Sequence, residues 1–299
     1  MNKVYNTQEE IASEMKDFLL KSNPNIRKTQ LKIIPFISLG MILSESSVAS
    51  DIAKTLKDEF SLVQHESVIR RIKRLFKNKL FDPYKFYDDV IRYVISNYKP
   101  KHDDKRIHIV FDHMFSHDNY TVFMITMRVG KQGIPLWFRC FKDKDDSKAF
   151  DEKLLKEGIS YVSSLFDSSY KLIFLADRWF NSTTLLQHID SLGHTYCIRL
   201  KRNIKVFVYD KKEGHKVWKF LDEIEPYKYH SKSFNDILLT DNSYKTNIVT
   251  NGSTRRAIKD YGYRFGSIES VFKNQKSNGF YLESVVKADL DYFTSMYTL

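Results

Sequence analysis

Between residues 8 and 99, apolar side chains recur at spacings of three and four with almost no glycine, the pattern of amphipathic helices. Three stretches carry it most clearly. Residues 34–44 are apolar almost throughout, and residues 50–56 open on a serine N-cap with an acidic first turn. Residues 66–76 set an apolar face (Val68, Ile69, Ile72, Leu75, Phe76) against an outward basic one made of Arg70, Arg71, Lys73 and Arg74. The last two stretches predict a helix-turn-helix-like pair whose basic helix reads DNA. The simpler alternative is a solvated basic face on a helical bundle. At NYKPKHDDK the periodicity breaks into a polar linker, which puts a boundary near residues 98–104.

Beyond the linker the period changes. RIHIVF (106–111), YTVFMITMRV (120–129) and IPLWFRCF (134–141) are β-rich runs joined by short polar turns, and they predict three consecutive antiparallel strands. A helix over 147–165, a buried strand over 171–176 (KLIFLA), a helix over 182–192 and a strand over 195–200 (TYCIRL) follow. The order β-β-β-α-β-α-β implies an α/β fold, a mixed sheet with helices on its faces. Residues 201–259 read as an irregular, strand-containing insertion. A last helix over 266–276 stops at Ser277-Asn278-Gly279.

Composition narrows the function. A chain of 299 residues with 42% hydrophobic and 28% charged residues is long enough for about two folded domains. With ten glycines and neither GxGxxG nor GxxxxGK[ST], it lacks the common nucleotide-binding loops. Forty-eight Lys and Arg against 37 Asp and Glu give +11, which points to a polyanionic partner, nucleic acid before an anionic membrane. From Arg199 to Lys259 there are 14 basic and 7 acidic residues, so the insertion holds +7 of that charge. The most apolar run, 31–43, contains Lys32 and Pro35 and is shorter than the ~20 residues a membrane span needs, and the N-terminus shows no signal core. Cys140 and Cys197, both in apolar stretches, make neither a disulfide framework nor a CxxC zinc site. A soluble protein of a reducing cytoplasm is expected.

The candidate chemistry lies in carboxylates. Asp112 directly follows RIHIVF and Asp177 directly follows KLIFLA, so two strands of one sheet deliver two carboxylates to one edge, an oxygen donor set suited to hard divalent cations. Each alone is also a common turn or N-cap residue. Glu269 and Lys276, two helical turns apart, share one face of the late helix, where a solvated pair is the alternative. His108, Asp112, His113 and His117 resemble a zinc cluster only on a linear reading, because strand alternation puts His113 on the other face. Asp118 is a candidate replacement for Asp112, but its place in the polar His117-Asp118-Asn119 turn favours a structural role. Core packing is expected of Trp179, whereas Trp218, inside the basic insertion, is a candidate for stacking on bases.

LADRWFNSTTLLQHIDSLGHTYCIRLKRN resembles the second-aspartate region of DDE transposases, and YGYRFGSIESVFKNQKSNGF resembles the Tyr-Arg-Glu-Lys signature of their insertion-sequence-four group. The likeness runs over roughly residues 106–299. It implies a ribonuclease-H-like core (105–200 and 260–299), a basic β-rich insertion (201–259) and a helical DNA-binding domain (1–100). By the same resemblance, Asp112, Asp177 and Glu269 form the catalytic acidic triad and bind two Mg²⁺ ions, with Mn²⁺ as a substitute. Tyr261, Arg264 and Lys276 match the remaining signature positions and are, by the resemblance, expected to contact DNA. Two residues separate Tyr261 from Arg264 and six separate Glu269 from Lys276, as in the signature, but Arg264 and Glu269 have four residues between them rather than three. Arg178, Lys201, Arg202 and Lys205 are further candidates for phosphate contacts.

The implied activity is metal-dependent cleavage and strand transfer at transposon ends by in-line phosphoryl transfer. The implied partners are double-stranded terminal repeats and target DNA, with a homodimer on the DNA, in the nucleoid of a bacterial cytoplasm. Two alternatives remain on the sequence: a related nuclease or strand-transfer domain of other use, and a shortened, non-catalytic DNA-binding protein, since FTSMYTL ends the chain 30 residues after Glu269 (299 − 269).

Overall fold

The structure, a computed structural model, describes residues 8–60, 64–99, 105–115, 120–142, 152–201, 203–210, 212–223, 228–231, 236–241, 246–276, 280 and 289–299. His117, Asp118, Arg202 and residues 100–104 of the linker lie outside the described residues.

Five helices come first: α1 (Gln8–Ser22), α2 (Lys28–Ser44), α3 (Ala49–Phe60), α4 (His65–Phe76) and α5 (Pro83–Ser96). Ser50 lies inside α3, one residue past its start, rather than capping it. The serine that organises this end is Ser46, whose Oγ accepts from the Val48 amide at 3.1 Å and donates to Asp51 at 2.8 Å. α3 and α4 pack on each other through Ile52, Ala53, Ile72 and Leu75, all buried, and α4 leaves Arg70, Arg71, Lys73 and Arg74 exposed. No single helix among the described residues is long and apolar enough to cross a membrane.

The predicted β-β-β-α-β-α-β order follows as β1 (Arg106–Phe115), β2 (Thr121–Val129), β3 (Gln132–Phe141), α6 (Glu152–Ser164), β4 (Lys171–Ala176), α7 (Thr183–Ser191) and β5 (Thr195–Arg199). β1, β2 and β3 are antiparallel neighbours, and β4 and β5 run parallel to β1, giving the order β3-β2-β1-β4-β5. Pro135 is tolerated in β3 because that strand is an edge, where a missing N–H interrupts no ladder.

The insertion departs from a separate irregular segment. Among the described residues β6 (Lys205–Asp210) and β7 (His215–Phe220) pair only with each other, but β8 (Lys228–Ser231), β9 (Asp236–Asp241) and β10 (Thr246–Thr250) extend the main sheet beyond β5 to eight strands. The boundary expected at residue 259 falls inside a helix, α8 (Thr254–Gly262), which is followed by α9 (Ile268–Lys276) and α10 (Leu290–Thr298).

Strand alternation divides the core in two. Ile107, Ile109, Phe111, Phe174, Ala176 and Ile198 point to the face covered by α6 and α7. Val110, Met114, Val122, Met124, Ile173 and Leu175 point to the opposite face, covered by the N-terminal helices and by α8, α9 and α10. Both cysteines are buried thiols, and burial pushes each up to about 12, which removes the reactive thiolate.

The first face closes tightly at Gly158 of α6, where a Cβ would meet Ile125 Cδ1 and the Trp137 ring at 2.9 Å. In an open helix, Gly→Ala stabilises by about 1 kcal/mol. Here overpacking reverses the sign, and Gly158→Ala is expected to cost about 1–3 kcal/mol in denaturant unfolding. A more stable variant would show that α6 moves off the sheet freely.

Candidate active site

The parallel ladder between β1 and β4 ends with Val110 opposite Leu175. Asp112 and Asp177 each stand two residues further on, at one level of neighbouring strands whose axes are about 4.8 Å apart. Counting in twos from Val110 and Leu175 turns both carboxylates toward the face that α8 and α9 cover. Asp112 does not end its strand as the sequence suggests. β1 continues to Phe115 because β2 keeps pairing with it, Asp112 opposite Met124. Asp177 does end its strand, and its Oδ1 accepts the Arg178 amide at 2.7 Å, capping a one-turn 3₁₀ helix, Arg178–Phe180. The capping role and a ligand role are compatible, since one oxygen serves the turn.

α8 and α9 bring the remaining groups. Asp260, 6% exposed, accepts from Arg106 Nη2 at 2.8 Å and lies 3.0 Å from His108 Nε2, which pins α8 to β1. His108 is therefore committed to Asp260 and not to the linear histidine cluster. His113 faces the other way, its ring 5.8 Å from that of Phe180. Beyond α8 the chain turns at Gly266, in the left-handed region at φ 77, and enters α9 with Glu269 in its first turn. Between the two helices Arg264, only 8% exposed, donates from Nη2 to Asp112 Oδ2 at 2.7 Å and from Nη1 to Glu269 Oε1 at 3.4 Å. Burial works against its charge, but Asp112, Tyr261, Asp177 and Glu269 outweigh burial and hold the guanidinium more firmly protonated than in water. All three candidate carboxylates thus act on one cation.

Tyr261 is 4% exposed. Burial first, then the nearby Asp177 and Asp112 charges, push its phenol upward against Arg264 and Arg199, so it stays a neutral hydroxyl, without a hydrogen-bond partner among the described residues. Tyr261 and Arg264 accordingly face the carboxylates rather than solvent. Lys276 closes α9, two turns beyond Glu269. Arg178 is exposed beside Asp177.

Trp179 is the clear departure. Core packing is expected of it, yet it is 50% exposed, with Lys201 Nζ 4.6 Å from its ring centre. Three residues per turn point Phe180 into the core and Trp179 out of it. Trp218 is 56% exposed on β7, and on the same hairpin Lys205 Nζ lies 4.8 Å from the Phe220 ring.

A family model described as a transposase DDE domain matches residues 97–287. The chain belongs to that family. This DDE transposase is also similar to the piggyBac transposase of a synaptic complex with hairpin DNA, at 12% identity and TM-score 0.47, over 97% of this chain and 71% of that one. It is similar to Marinitoga piezophila Argonaute in complex with guide RNA and target DNA at 15% identity and TM-score 0.26, over 66% and 31% of the two chains. No curated protein sequence matches it.

DDE transposases use divalent metal ions. The donor set fits such an ion in kind: carboxylate oxygens from β1 and α9 converge on one guanidinium, and Asp177, just past the end of β4, lies within its field. Among the described residues no three ligand side chains are yet gathered as a metal group, and the cation between Asp112 and Glu269 is Arg264.

Asp260 is the site residue that sequence reasoning missed. Its signal is the shared face of Arg106, His108 and Asp112 on β1. Asp260→Ala strands Arg106 and His108 beneath α8 and is expected to cost roughly 3–5 kcal/mol, as removal of one partner from a buried pair does. Denaturant unfolding checks this, and a loss below about 1 kcal/mol would mean that α8 is held by its apolar contacts alone.

Proposed function

We propose that this transposase cuts and joins DNA at transposon ends by in-line phosphoryl transfer, with Asp112, Asp177 and Glu269 as the ligands of two Mg²⁺ ions. The observation that carries the reading is the common cation: residues from β1 and from α9 meet at Arg264, and the Asp177 charge acts on the same guanidinium. When bound, the two ions supply an activated attacking oxygen and stabilise the charge on the leaving oxygen. The chain's own residues then hold and orient. Asp112 is held in a strand paired on its β2 side, and Asp177 is set by the turn it caps, so neither carboxylate needs to search for its position. Glu269, on the first turn of α9, is half exposed and stands on the solvent side of the group.

The finer assignments follow the same reading. A ribonuclease-H-like core is supported by the order β3-β2-β1-β4-β5, three antiparallel strands followed by two parallel to β1. The spacing of Tyr261, Arg264, Glu269 and Lys276 supports the Tyr-Arg-Glu-Lys group. Arg178, Lys201, Arg202 and Lys205 contact backbone phosphates near the cut. The helices of residues 1–100 read the element end through Arg70, Arg71, Lys73 and Arg74, and a homodimer forms on DNA in the bacterial nucleoid.

Asp112→Asn, Asp177→Asn and Glu269→Gln are each expected to abolish Mg²⁺-dependent strand cleavage while leaving duplex affinity within a few-fold, because affinity comes chiefly from phosphate contacts. Gel assays of cleavage and binding on one element-end duplex separate the two effects. Cleavage at the wild-type rate removes that residue from the set.

The two basic regions are expected to differ in kind. Neutralising Arg70 and Arg74 should lose preference for the element end at about 1–3 kcal/mol per base contact. Neutralising Lys201 and Lys205 should weaken all sequences alike and flatten the salt dependence by ~0.9 for each phosphate charge left unneutralised. Titrations at several salt concentrations decide, and full sequence preference in the first variant would leave α4 with only a solvated basic face.

A further inference from the structure

Asp112 and Glu269, drawn to one guanidinium with the Asp177 charge nearby, repel each other, and that repulsion has to be answered before any ion arrives. Two features show how differently the nearby acids are held. Asp260 is satisfied permanently: it is buried and its two oxygens take Arg106 and His108 at 2.8 and 3.0 Å. Arg264 is satisfied incompletely. One arm is short, 2.7 Å to Asp112, while the other is stretched to 3.4 Å and ends on a Glu269 side chain that is 50% exposed. Its Nε is buried with no acceptor among the described residues. A structural strut would use the planar fork in full, with two parallel short bonds to one acid. Arg264 instead divides its arms between two acids on separate elements, and its Nε is unused among the described residues.

We infer that Arg264 is an exchangeable internal counter-ion, holding Asp112 and Glu269 together in the metal-free protein and releasing both when divalent ions enter. The inference rests on the reading of Asp112, Asp177 and Glu269 as metal ligands. Arg264 is on this account a positioning residue: it keeps the acids from splaying apart, and it competes with the ions for the same oxygens. The competition has a definite sign. Removing the guanidinium should destabilise the metal-free protein and at the same time tighten ion binding. A permanent strut predicts the opposite for the ions, since acids that splay apart bind them more weakly.

The test is calorimetric titration of the full chain with Mn²⁺ in the absence of DNA, paired with thermal unfolding in chelator and in excess Mn²⁺. Arg264→Gln should lower the melting temperature in chelator, bind Mn²⁺ on the order of tenfold more tightly than wild type, and show a larger rise in melting temperature on adding Mn²⁺. Arg264→Lys, a single ammonium that cannot fork across both acids, should fall between the two and serves if the glutamine variant does not fold. Ion affinity that is unchanged or weaker in the variant that folds overturns the inference. Asp112→Asn tests the underlying reading separately: if wild type and Asp112→Asn bind Mn²⁺ equally, or neither binds it, the metal-ligand assignment itself fails, whatever Arg264 does.

Discussion

A buried carboxylate decides where α8 lies. Asp260 cannot be left unpaired at 6% exposure, and its partners, Arg106 and His108, occupy alternate positions on β1. That requirement sets the helix over the same strand face that carries Asp112. Everything beyond α8 inherits the placement, because Arg264 lies four residues after Asp260 and Glu269 five after Arg264. An acid with no evident chemistry of its own thus determines whether Asp112 and Glu269 can meet at Arg264. Its energetic weight is that of a buried pair, well above the exposed Arg70–Glu66 pair of α4, which at 3.5 Å and high exposure contributes little.

The sheet supplies the second half of the geometry. Parallel strands buried on both faces have few ways to shift register, since a slip of one residue would send Phe111 and Phe174 to the wrong side. Asp112 and Asp177 are fixed relative to each other by that constraint, and Glu269 by the helix pair that follows. Two acids ride on the rigid part of the molecule and one on a half-exposed helix start, an arrangement in which the third can adjust to what the first two hold.

Much of this is legible in the sequence, for physical reasons. The runs RIHIVF, KLIFLA and TYCIRL read as strands because they are short, rich in β-branched and aromatic residues and bounded by polar turns, unlike the longer apolar run of α2, and the acids after the first two are conspicuous against such runs. α8 is not legible: in TRRAIKDYG only Ala257, Ile258 and Tyr261 are apolar, too few for a periodic signal, and the helix is held by an ion pair with a strand some 150 residues earlier, which no local pattern encodes. Trp179 departs from expectation because a tryptophan beside a buried strand usually packs inward, while the tight 3₁₀ turn gives the interior to Phe180 instead. β8 and β9 could not be assigned to the main sheet because pairing partners, unlike strand character, are not written in a strand's own residues.

The chain leaves the core at Leu200 and returns beside it, where the Leu200 amide donates to the Asn247 carbonyl at 2.8 Å. Whatever lies between is a detour whose two ends are already stitched by the backbone. Lengthening or shortening such a detour changes the entropy of closing it by only about 0.6 kcal/mol for each doubling. The segment is therefore a place where the gene can gain or lose tens of codons while β1 and β4, which set Asp112 and Asp177, stay as they are, so descendants of one scaffold can differ most in this detour.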